Sequence, residues 1–127
     1  MNNFNVKYYT NEAKRVVVAV IEETAYDLIQ ECEERGHCEV TLYIPNSFSG
    51  KATCSVGDKF DVEKGKKIAF KRAYKKYVQA KRAAMKEMTR YLERRHNDYM
   101  KFANELIQKY DVAIERRTAE IEALIAE

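Results

Sequence analysis

Residues 66–127 read KKIAFKRAYKKYVQAKRAAMKEMTRYLERRHNDYMKFANELIQKYDVAIERRTAEIEALIAE, 62 positions without a glycine or a proline. Those two residue types are the usual interruptions of a helix, and all of them lie earlier: Gly36, Pro45, Gly50, Gly57 and Gly65. Apolar residues keep one phase along the stretch. Phe70, Tyr74, Tyr77, Met85, Met88 and Leu92 fall three or four apart, with Lys81 as the one exception. Tyr99, Ala103, Leu106, Tyr110, Ala113, Ile121 and Leu124 continue the pattern. Ala69, Ala73, Ala80 and Ala84 form a second stripe, small enough for close helix contact. Heptad-like spacing over several repeats predicts coiled-coil packing.

The start and the one candidate break follow from the same reading. Asp61 precedes the helical segment and suits an N-cap. Arg94-Arg95-His96-Asn97-Asp98 is the candidate interruption. Asn97 there caps a second helix and makes a hairpin, or the phase runs through. An unbroken helix of this length would extend about 93 Å at ~1.5 Å per residue. A domain of ~60 residues is only about 22 Å across. In either form the apolar stripe exceeds what the first half can cover, so the sequence predicts a homo-oligomer, a dimer or higher.

Working back toward the N-terminus, the expected order is strand, strand, helix, strand, strand. Val6–Tyr9 and Arg15–Ile21 are rich in β-branched and aromatic residues, with Thr10-Asn11-Glu12 as the turn. Ala25, Leu28, Ile29 and Cys32 recur at helical spacing, and Gly36 stands where a C-terminal cap belongs. Cys38–Ile44 alternates as a half-buried strand that Pro45-Asn46-Ser47 ends, and Lys51–Val56 makes a shorter one. The expected fold is α+β: a small antiparallel sheet with one short helix over residues 1–61, then a long helical region over 62–127 serving oligomerisation and ligand binding.

Charge is distributed unevenly. Residues 1–63 carry 6 basic and 11 acidic side chains, residues 64–95 carry 13 and 2, and residues 96–127 carry 4 and 7. The whole chain is only +3, so the informative feature is a strongly basic centre between acidic flanks. Lys64, Lys67, Lys71, Lys75, Arg82, Lys86, Arg90 and Arg94 form a ladder at mostly four-residue steps, with Phe70, Tyr74, Tyr77 and Tyr91 among them. Cations beside flat π-surfaces suit a ligand bearing phosphates and bases. Arg94 and Arg95 offer forked donors for phosphate, and Asn97 offers a donor and an acceptor for a base edge. A break there would add backbone N–H groups. Arg116 and Arg117 form a second pair, which an antiparallel oligomer could bring against Arg94 and Arg95 around a shared anion. Ion pairing with Glu115 and Glu120 is the plainer role for that pair.

Catalytic signatures are absent. There is no glycine-rich phosphate loop, HExxH, paired-carboxylate motif or CxxC, and His37 and His96 sit among charged residues. No enzyme activity and no cofactor are expected. Cys32, Cys38 and Cys54 are spaced unlike zinc ligands, so no metal is expected and reduced thiols are. No run of 18 apolar residues exists and the N-terminus lacks a secretion-signal pattern, so no membrane partner is expected.

The segment Ser49–Ala73 contains Gly50-x-Ala52-x-Cys54, Asp58-x-Phe60-Asp61 and Gly65-x-x-x-Ala69-x-x-Arg72-Ala73. It resembles a module of small accessory proteins from tailed phages. In size and layout the chain is similar to the Thoeris anti-defence family of phage signal sponges (its first type). That resemblance implies an oligomer in the host cytoplasm. It would bind a cyclic ADP-ribose isomer such as glycocyclic ADP-ribose, or in some members cyclic oligonucleotides, between chains without cleaving it. None of the family's binding residues is carried over. On the local argument Arg72, Arg94 and Arg95 grip phosphates, Tyr91 stacks a base, Asn97 reads its edge, and Arg116 completes the ligand-binding set. Nucleic acid is a second candidate partner for the basic helix, and a host defence complex met through the helical surface is a third.

Overall fold

The computed structural model describes residues 5–37, 43–55 and 57–127. The chain is α+β. Strands β1 (Asn5–Asn11), β2 (Val16–Glu22) and β3 (Ser47–Thr53) form one antiparallel sheet in the order β1-β2-β3. The short helix α1 (Asp27–Glu34) lies between β2 and β3 in sequence, and the long helix α2 (Val62–Ala126) follows. The strand expected at Cys38–Ile44 falls largely on residues 38–42, which lie outside the described residues; Tyr43 and Ile44 are not in a strand.

The β1–β2 turn lies two residues later than the sequence suggests. Glu12–Arg15 makes it, because the Asn11 side chain accepts the Lys14 N–H at 3.0 Å and Glu12 O accepts the Arg15 N–H at 3.1 Å. Arg15 closes the turn in the left-handed region at φ 55°.

Strand β2 is apolar on both faces in sequence, yet only Val17, Ala19 and Ile21 are wholly buried. Side chains alternate along a strand, so each buried residue shares its face with its cross-strand partners. Val17 lies between Thr10 and Ala52, Ala19 between Tyr8 and Gly50, and Ile21 between Val6 and Phe48.

The third strand starts before Gly50 rather than after it. A Cβ on Gly50 would run into Ala69 O, Ala73 N and the Arg72 Cβ. The missing side chain is what lets β3 approach the α2 backbone, so this glycine belongs inside the strand. Ala69 and Ala73, both fully buried, are the matching small residues on the helix.

The caps match their expectations. The Gly36 N–H bonds Glu33 O at 3.0 Å and the His37 N–H bonds Cys32 O at 2.9 Å, with Gly36 at φ +84°: the pair of bonds that closes a helix through a left-handed residue. Asp61 Oδ1 accepts the Lys64 N–H at 3.1 Å and caps α2.

The chain divides into two compact units, Met1–Met88 and Thr89–Glu127, so the division falls inside α2. In the first unit, Val17, Ala19, Ala52 and Ala69 form one buried cluster, flanked by Phe60, Ile68 and Phe70. Leu28, Cys32, Ile44, Tyr77, Ala84 and Met88 form another, flanked by Phe48. In the second unit only Ala103 and Leu106 are even half-buried. The open question at residues 94–98 is resolved as a continuous helix.

Candidate functional site

Continuity at residues 94–98 changes what that segment offers. Its backbone N–H groups are spent inside the helix, so any anion there must be held by side chains. The helix brings Tyr91, Arg94 and Arg95 within about one turn. The Arg95 guanidinium lies over the Tyr91 ring at 5.8 Å from its centroid, and Tyr91 is 43% exposed. A guanidinium at this distance keeps its hydrogen-bonding edge, so the pair presents a cationic fork beside an exposed tyrosine. Arg94 is exposed beside them.

The other sequence candidates are not gathered there. Asn97 neighbours Arg94, about 60° away around an ideal helix, but projects about 120° from Tyr91, so within one chain it does not face a base stacked on that ring. Arg116 is exposed and lies about 33 Å from Arg94 along the axis at ~1.5 Å per residue. Its neighbour Arg117 is paired with Glu120 at 3.0 Å, the plainer role foreseen for that arginine. Arg72 lies in the other unit, where its Nη1 donates to Lys51 O at 2.7 Å and clasps α2 to β3.

Around these residues the second unit exposes many large apolar side chains. Met100, Ile107, Ile114 and Ile121 recur every seven positions at 43, 55, 62 and 57% exposure, with Tyr110 and Leu124 three residues after Ile107 and Ile121. A strip with this repeat is the pattern of a helix that packs against another helix.

Lys81, the cation that broke the apolar phase, has a structural explanation. Its ammonium lies 3.2 Å from Asp27 and 3.0 Å from Glu31, one turn apart on α1, and 5.1 Å from the Tyr77 ring centroid. Burial works against its charge, but hydrogen bonds and attraction from Glu31 and Asp27 outweigh it, so the Lys81 pKa rises above the ordinary lysine value of 10.5. A raised folded pKa means the proton binds the folded state more tightly. The stabilisation is therefore complete below the unfolded value and disappears as pH climbs through the folded one. Urea midpoints of the native chain should fall across that alkaline window, and a Lys81→Met variant should lose most of this slope. An acidic pair four apart on one helix and a lone cation in another's apolar stripe were the sequence signals for this contact.

Among the described residues no group of three His, Cys, Asp or Glu side chains could hold a metal ion, and no helix is long and apolar enough to cross a membrane. Cys32 is buried with its Sγ 3.9 Å from Met85 Sδ, and Cys54 is a free thiol. Comparison with protein-family models, with curated proteins and with solved structures yields no match.

Proposed function

We propose that this chain is a non-catalytic binding protein that assembles with copies of itself and sequesters a compact, phosphate-bearing cyclic nucleotide in the host cytoplasm, as a phage anti-defence sponge for a cyclic ADP-ribose isomer. The observation that carries the reading is the Arg95–Tyr91 cation–π contact with Arg94 alongside, all three residues exposed. Guanidinium forks suit the diphosphate of such a ligand and the tyrosine suits its base. Asn97 and Arg116 are directed elsewhere within one chain, so in this reading they act on ligand held by another copy. The exposed heptad strip supports assembly, since an uncovered strip of this length is an aggregation liability.

Titration calorimetry with glycocyclic ADP-ribose tests the proposal. The native chain should bind with intact ligand recoverable after heat denaturation, and Arg94→Ala/Arg95→Ala should weaken binding by about a hundredfold, at ~1.5 kcal/mol for each charge-assisted contact. No heat from the native chain, or conversion of the ligand, would overturn it.

A further inference from the structure

Between Lys64 and Lys86 the sequence places ten lysines and arginines and no acidic residue. The fold sorts these ten into two sets. Four are tied to the body of the first unit. Lys66 pairs with Glu63 at 3.6 Å and lies over Tyr8, and Arg72 donates to Lys51 O. Lys76 donates to Ser49 O at 2.8 Å, and Lys81 bridges Asp27 and Glu31.

The other six, Lys64, Lys67, Lys71, Lys75, Arg82 and Lys86, are all exposed, and none has an ion pair or side-chain hydrogen bond among the described residues. Projected at 3.6 residues per turn they occupy an arc of about 100°. The arc is centred about 160° away from the buried residues Ala69, Ala73, Tyr77, Ala84 and Met88. The track runs about 33 Å, close to one turn of B-form duplex at ~34–36 Å.

We infer that this solvent-facing row of six cations on the first part of α2 is a binding track for the phosphate backbone of duplex nucleic acid, separate from the Tyr91–Arg95 site. Six like charges on one face repel one another and raise the local potential, and a polyanion with one charge per ~1.7 Å relieves that repulsion by releasing its counterions. The chemistry recognises backbone and not sequence, because lysines predominate and no amide side chain that could read a base lies on the arc except Gln79 at its edge. A membrane surface fits less well. The large apolar side chains exposed between Lys64 and Lys86 are only Tyr74, Val78 and Met85, too few for the continuous apolar face of an interfacial helix.

Fluorescence polarisation of the full chain with a mixed-sequence DNA duplex tests this. Affinity should fall about a thousandfold between ~50 and ~200 mM salt if all six cations meet phosphate. Lys71→Ala/Lys75→Ala should flatten the slope of log affinity against log salt by about 2, while circular dichroism stays unchanged because both side chains are exposed. That variant should keep its calorimetric response to glycocyclic ADP-ribose, and Arg94→Ala/Arg95→Ala should keep the duplex salt slope, so the two readings fail separately. No duplex binding at the lower salt would overturn the track. So would an unchanged slope in the lysine variant, or retention by anionic vesicles without retention of duplex.

Discussion

Replacing Tyr77 with alanine should lower the stability of the first unit by about 4 kcal/mol, the cost of emptying an aromatic-sized site in a packed core. Tyr77 is 1% exposed and is the largest of the fully buried side chains. Its ring meets Phe48 of β3 at 5.5 Å between centroids and Tyr74 at 6.0 Å. It also lies in one cluster with Leu28 and Cys32 of α1. One side chain thus joins the long helix to the sheet and to the short helix. Phe48, Leu28 and Cys32 are distant in sequence, so no local rearrangement of α2 refills the space. Urea unfolding followed by circular dichroism would measure the loss. A shift below about 1 kcal/mol would mean that this layer collapses onto the cavity and is not what holds α2 in place.

A methyl group at Gly50 should be nearly as damaging, at about 3 kcal/mol, because the clash is with backbone. The added carbon would meet Ala69 O and Ala73 N, neither of which can rotate away as a side-chain tip can. Relief requires lifting β3 off the helix, which exposes Ala69, Ala73 and Ala19 together. Gly36→Ala is the useful comparison. Nothing lies near a Cβ at Gly36, so only its left-handed backbone at φ +84° opposes the change, for about 1 kcal/mol. Equal losses at the two positions would show that close approach is not the reason for Gly50.

Much of the fold was legible because the signals are local. The β-branched run at Val16–Ile21, the helical recurrence of Leu28, Ile29 and Cys32, the caps at Gly36 and Asp61, and the glycine-free stretch after Gly65 each depend on neighbours a few positions away. Gly50 misled the strand boundary for the complementary reason. In sequence it resembles a breaker, and the helix backbone that requires it lies some twenty residues on.

The candidate site was legible in composition and less so in arrangement. Tyr91, Arg94 and Arg95 come together because a helix brings residues three and four apart onto neighbouring positions. In sequence Asn97 suits a helix cap. The unbroken helix leaves it on a different face and Arg116 about 33 Å along the axis.

From its order of residues alone this chain is committed to a small sheet, a short helix and a long amphipathic helix with a basic centre, since periodicity and capping act over three or four residues. Tertiary structure alone decided which cations in that centre are engaged and which remain open to a partner. Lys81 finds Asp27 across 54 positions and Arg72 finds Lys51 O across 21, whereas Lys71 and Lys75, of the same chemistry, point where the fold supplies no counter-charge. Charge pairing depends on distance in space, and a linear sequence does not carry that distance until the helix has docked on the sheet.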